Sequence, residues 1–314
     1  MDFKPCDPKL FFSRNDLSDP RLGEVVRVFS EFEDIENTFV IVGYPDDEGI
    51  KLNGGRPGSA LAPTSIRKAF YKMTPGLNSK SSPKIRDCGD IDITCELSKR
   101  HDHAFKNAKS LLEKKARIIT FGGGHDFGYS DCSAFVEVVL KEGKRPLIIN
   151  FDAHLDVRSD SLSENSGTSF YRLLKKYSKQ IDFFEVGVQD WCNSSQHFNW
   201  AVEHGAKIIT LNEILGSGRT LSDFLAEKIL GQVRRDHEVA LSLDIDGFPS
   251  SAGPGASQVF PIGLDPQELL KFWKNISVQF KPRLTGIYEV SPPLDLDDRT
   301  SRLAALFAHQ IIFV

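Results

Sequence analysis

Asp152, His154 and Asp156 occupy every second position directly after the apolar run LIINF (147–151). In extended chain such residues point to one side, so two carboxylates and an imidazole converge on one place. Carboxylates packed that closely repel each other and lose hydration, and a bound cation is the usual compensation. A second acidic pair, Asp244 and Asp246, follows EVALSL (238–243) at the same spacing. His125 lies in GGGHD just after ARIITF (116–121), and Glu289 follows RLTGIY (283–288).

The charges suggest the chemistry. Asp152, Asp156, Asp244 and Asp246 bring four negative charges, and His125 and His154 offer neutral imidazoles. Two divalent cations balance the four acids. A carboxylate-rich set with two imidazoles suits Mn²⁺ better than Zn²⁺, whose structural sites favour thiolates. Two metals about 3.5–4 Å apart share a water and lower its pKa, which makes a hydrolytic nucleophile available near neutral pH.

Something must carry these residues to one place. Apolar runs recur at 39–43, 116–121, 146–151, 182–188, 206–211, 238–243 and 283–290, and most are separated by helically patterned stretches at 100–115, 129–142, 196–204, 219–234 and 265–280. The last segment, RTSRLAALFAHQIIFV, reads as a closing helix. Strands that are nearly all apolar and alternate with helices predict an α/β fold, a three-layer α/β/α sandwich with a mostly parallel central sheet. Ligands of such sheets bind beyond the carboxyl ends of the strands, and four of the runs deliver His, Asp or Glu at that end. GGG at 122–124 is no phosphate loop, since the Lys-Ser/Thr of a P-loop is missing.

The remaining composition narrows the partners. The chain has 314 residues, 40% hydrophobic and 26% charged, and neither repeat nor low-complexity linker divides it, so residues 1–314 are expected to form one domain. A net charge of −4 gives no basic footprint for nucleic acid or an anionic membrane surface. A small-molecule substrate is the expected partner. Five cysteines in no zinc or disulfide pattern, with no apolar leader and no run of transmembrane length, point to a cytoplasmic address.

GGGHD, NFDAHLD, SLDIDGF and the late EVSPPLD, in this order and separation, resemble the ureohydrolases: arginase, agmatinase and formiminoglutamase. The likeness covers most of the chain from Gly43 on. It implies one Mn²⁺ on His125, Asp152, Asp156 and Asp244, and a second on Asp152, His154, Asp244 and Asp246, with Asp152 and Asp244 bridging. It also implies that Asp156 moves a proton to the leaving group, that Glu289 holds the cationic amidine-type group, and that chains assemble as trimers or hexamers.

Three departures separate the chain from arginase. ENSGTSF (164–170), with Ser166, stands where arginases carry a proton-moving histidine. Arg158 replaces an asparagine that contacts the substrate α-carboxylate, and DIDGFPSSAGPGAS lacks the further Asp-Pro. SGTSF, GVQDWCNSS (187–195) and YPDDEGIKLNGGRPGSALAPTSIR (44–67) instead resemble the formiminoglutamase branch. That branch implies hydrolysis of N-formimino-L-glutamate to L-glutamate and formamide. The dicarboxylate fits Arg158, whose planar guanidinium binds carboxylate bidentately. Arg56 in NGGRPG is read as a second carboxylate clamp or as a loop-capping residue, and Ser166 as a substrate contact. An agmatinase or other guanidino-acid ureohydrolase is the alternative within enzymes, and a non-catalytic metabolite-binding protein the alternative outside them.

His101-Asp102-His103 is read as a solvated helix start, since i and i+2 diverge on a helix. His197, His204, His237, His309, Trp191 and Trp200 are read as packing or surface residues, and Asp190 or Asn193 as possible substrate contacts.

Overall fold

A computed structural model describes residues 3–31, 33–76, 83–279 and 281–313. In chain order the strands are β1 (Phe3–Lys4), β2 (Arg27–Val28), β3 (Phe39–Gly43), β4 (Ile85–Ile91) and β5 (Arg117–Phe121), followed by β6 (Arg145–Phe151), β7 (Asp182–Val188), β8 (Ala206–Thr210), β9 (His237–Asp244) and β10 (Leu284–Tyr288). They form one sheet in the order β1-β4-β3-β5-β10-β9-β6-β7-β8, and β2 pairs with β4. All pairings are parallel except that of β1 with β4.

Helices cover both faces. Leu97–Glu113, Phe127–Lys141 and Ser169–Tyr177 pack one cluster of buried apolar side chains, while Ala62–Phe70, Leu221–Lys228, Pro266–Gln279 and Arg299–Phe313 pack the other. The three-layer expectation is therefore met, and the terminal segment is the helix it was read to be. Burial on both faces explains why the inner strands are almost purely apolar. Among the described residues no helix is long and apolar enough to cross a membrane.

The sequence reading missed β4 for a definite reason. IRDCGDI looks polar because Asp87 and Asp90 engage Arg67 on the Ala62–Phe70 helix, at 2.8 Å and 2.5 Å. Arg67 and Asp87 are fully buried, so a charge pair stands inside the core here.

The order of the inner strands positions the site. β5, β10, β9 and β6 are consecutive neighbours, and these are the four strands that end at His125, Glu289, Asp244 and Asp152. Their register runs Ile287 opposite Phe121 and Leu243, and Leu243 opposite Phe151, so the four ends are level. Adjacent parallel strands lie about 4.8 Å apart. Groups on their ends therefore come within reach of one another without long loops.

Candidate metal centre and pocket

Beyond the level strand ends, two groups of ligand atoms form. In each group the atoms lie within 4.8 Å of one another: His125, Asp152, Asp156 and Asp244 in the first, Asp152, His154 and Asp246 in the second. Asp152 belongs to both. Asp244 enters the first group only, because one of its oxygens accepts the Asp246 amide at 2.9 Å while the other faces His125 at 3.2 Å. The expected sharing of Asp244 is thus not formed in this conformation.

Local structure fixes each group. The His125 ring takes Ser242 Oγ on Nε2 at 2.8 Å, which turns Nδ1 toward the acids. Nδ1 has no hydrogen-bond partner of proper geometry, yet it lies 3.1–3.2 Å from oxygens of Asp152, Asp156 and Asp244. Tyr288 stacks on the ring, and the His125 amide donates to Glu289 Oε1 at 3.0 Å. Gly123 lets the loop descend this far, since a Cβ there would lie 1.8 Å from the Asp46 carbonyl oxygen.

Two site residues hold left-handed backbone, Asp156 at φ 47° and Glu289 at φ 65°. The surroundings compensate for this local cost. The Asp156 carbonyl accepts the amides of Phe170 and Tyr171 in the first turn of Ser169–Tyr177, where helical donors lack partners. The Glu289 amide donates to the Gly123 carbonyl at 2.9 Å.

Electrostatics agree with a cation site. Burial alone would lower the pKa of His125 and His154, but the surrounding aspartates hold both well above the ordinary imidazole value. Burial raises Asp244 and Glu289 well above the carboxylate range, and burial with the charge of Asp152 pushes Asp156 up to about 6. With acids this close in a buried space, protons compensate the negative charge wherever a cation does not. The donor set is thus oxygen-rich with two imidazoles, all facing one space, which fits Mn²⁺.

The centre floors a cavity of about 120 Å³. Its walls include Asn53, Arg158, Ser166, Cys192, Asn193 and Gln258. Arg158 and Ser166, read as substrate contacts, both line this cavity. Arg56 does not line the cavity: its guanidinium donates to the carbonyls of Ser257 and Ala256, at 2.8 Å and 3.1 Å, which is the loop-capping alternative. Asn193 lines the wall but its amide is engaged by backbone, accepting from Leu155 N and donating to the Ala153 and Gln189 carbonyls. Asp190 is exposed and accepts from Asn212. Trp200 stacks between Tyr171 and His204, a packing role as read.

His101 requires a correction. It is buried, not solvated, and bridges Asp126 at 2.6 Å and Glu164 at 3.0 Å. The helix begins at Leu97, four residues before His101, so His101 lies on the stripe of Leu97, Ala104, Ala108 and Leu111. That spacing was visible in the sequence. The network joins the loop of His125 to the segment of Ser166, and Arg172 completes it at 2.7 Å from Glu164.

Burial would depress the His101 imidazole, but the bonds to Asp126 and Glu164 outweigh it and push its pKa up to about 9, with Arg172 opposing. A raised folded-state value means the stabilisation is complete below an unfolded pKa of about 6.5 and is lost as pH climbs through 9. Wild type is expected to melt several degrees above His101→Asn at pH 6, a gap that narrows by pH 10. Calorimetry giving a constant gap over that range would contradict the charged network.

The arginase family model matches residues 37–314. The chain belongs to the arginase family. Within that family it is 31% identical over 302 residues to a formimidoylglutamase of Streptococcus gordonii, covering 93% of this chain and 86% of that one. A solved formimidoylglutamase from Bacillus subtilis superposes with a TM-score of 0.85 at 26% identity, covering 96% of this chain and 93% of that chain. A Trypanosoma cruzi formiminoglutamase solved with Mn²⁺ gives 0.80 at 26% identity, covering 94% and 98%. The arginase-family fold is therefore shared over most of the chain with proteins that carry those names.

Proposed function

We propose that the chain hydrolyses N-formimino-L-glutamate to L-glutamate and formamide with a pair of manganese ions. The observation that carries this reading is Arg158. It stands at the wall of an acid-floored cavity, and among the described residues it has no carboxylate partner. A guanidinium with no carboxylate partner beside so much negative charge suits a substrate that brings carboxylates of its own. The formimidoylglutamase relatives support the same reaction.

His125, Asp152, Asp156 and Asp244 would hold one ion, and Asp152, His154 and Asp246 the other, with Asp244 as the second bridge by family resemblance. Bound there, the pair supplies a water acidic enough to serve as nucleophile near neutral pH. Glu289 gives one oxygen to the His125 amide, which leaves the other to orient the cationic formimino group over the acids. By the same resemblance Asp156 would deliver a proton to the departing nitrogen. Arg158 and Ser166 take the carboxylate end.

The ten strands share one sheet, which supports reading residues 1–314 as one domain. Free cysteines at all five positions support a cytoplasmic address. Assembly into trimers or hexamers follows from family resemblance and is checked by light scattering.

The deciding assay measures glutamate, formamide and urea across formimino and guanidino substrates after loading with manganese. Glutamate and formamide from the formimino compound, without urea from any guanidino acid, is the expected pattern. Urea release would favour the agmatinase-type alternative, and no turnover the binding protein. In the same assay Arg158→Ala is expected to keep its manganese and to raise KM about 10–100-fold, the effect of losing a charged hydrogen-bond partner.

A further inference from the structure

Asn53 ends the short Glu48–Leu52 helix, and its amide reaches two segments distant in sequence. Its Oδ1 accepts from Arg158 Nη1 at 2.7 Å, and its Nδ2 donates to Ser166 Oγ at 3.1 Å. All three residues line the same cavity. The Asn53 backbone is itself pinned, because its amide donates to the Gly49 and Ile50 carbonyls. Gly167 closes the arrangement from behind: a Cβ there would lie 3.0 Å from both Arg158 Cδ and Asn53 Nδ2.

The chemistry of an amide matters here. Ser166 Oγ accepts from Asn53, and among the described residues its own hydroxyl proton has no acceptor. Arg158 uses one terminal nitrogen on Asn53, and the rest of its fork has no side-chain partner. One neutral side chain therefore holds a guanidinium and a hydroxyl side by side with donors left over on both. A carboxylate in place of the amide would hold Arg158 too, but would cancel its charge.

We infer that Asn53 is a specificity-determining residue, the neutral clasp that sets Arg158 and Ser166 as one receptor for a carboxylate of the substrate. The inference rests on the proposed formiminoglutamase reading and adds a residue that the Arg158 and Ser166 assignments do not include. It predicts an order of effects. Asn53→Ala frees the two donors, and KM for formiminoglutamate rises about tenfold, the worth of one hydrogen bond to a charged group. Asn53→Asp keeps the contact with Arg158 yet neutralises it, and KM rises about a hundredfold. A merely structural role would give the opposite order, since Asp is the closer replica of Asn.

The test uses the full-length manganese-loaded protein, with metal content and melting temperature recorded for each variant. Kinetics are measured with N-formimino-L-glutamate and with two monocarboxylates that each lack one of its carboxylates, N-formimino-2-aminobutyrate and N-formimino-4-aminobutyrate. L-glutamate binding by calorimetry gives a readout that needs no turnover. The expected result is a larger loss for Asn53→Asp than for Asn53→Ala, concentrated in KM and in preference for the dicarboxylate. In an Arg158→Ala background the difference between the two is expected to vanish. Equal or reversed effects, or an unaltered preference for the dicarboxylate over both monocarboxylates, overturn the inference while the proposed function stands. A wild-type protein that releases no glutamate from formiminoglutamate overturns the function and, with it, the inference.

Discussion

Asp152→Asn is expected to empty the centre of manganese and to cut turnover roughly a thousandfold or more, a loss of about 4 kcal/mol or more in transition-state stabilisation. Asp152 is the one residue common to both ligand groups. Its two oxygens are already divided, one accepting the His154 amide at 2.6 Å and the other facing His125 at 3.2 Å. An amide there replaces a ligand oxygen with a donor and removes a charge. Burial would raise the Asp152 carboxyl, but His125 and His154 hold it well below the usual carboxylate range, so the metal-free variant loses these contacts and is expected to melt below metal-free wild type. Manganese should then raise the melting temperature of wild type only, because a ligand stabilises the state that binds it. Elemental analysis finding two manganese ions per variant chain would dispose of this arrangement.

Glu289→Gln isolates substrate orientation from metal binding. Glutamine keeps an oxygen for the His125 amide, so the loop and its left-handed backbone at φ 65° are expected to survive. The other oxygen becomes an NH₂ that points a donor at a cationic group. Removing one partner of a buried charged contact costs about 2–5 kcal/mol, which corresponds to kcat/KM lower by roughly 30- to 5000-fold. Manganese content should match wild type. Rapid kinetics on the metal-loaded variant would refute the assignment by finding a tenth or more of the wild-type kcat/KM.

The ligands were readable because they obey a simple rule: polar residues at period two, just past apolar strands. What periodicity does not contain is strand order. Nothing in the runs at 116–121 and 283–288 says that β10 inserts between β5 and β9, yet that insertion brings Glu289 to His125. Single polar residues were the hardest to see. Ser242 lies inside the apolar EVALSL and supports His125 from behind, and Asn53 opens the glycine-rich string NGGRPG, which has no periodic pattern to mark it. Glu185, fully buried in DFFEVGV and accepting from Asn150 at 2.7 Å, carried a signal that went unused, since an acid inside an apolar strand rarely lies there without a partner. His101 was misjudged through a helix boundary set too late, and of the two readings left open for Arg56 the guanidinium takes the loop-capping one.

The interior location of β5, β10, β9 and β6 also bears on how the protein comes apart. Thermal fraying starts at sheet margins, here β1, β2 and β8, and must peel inward through several ladders before the four ligand-bearing strands separate. Deuterium uptake should therefore reach Leu241, Leu243 and Ile287 last. Partial opening at either margin leaves the ion cradle assembled, so loss of metal and loss of the global fold should occur in one event.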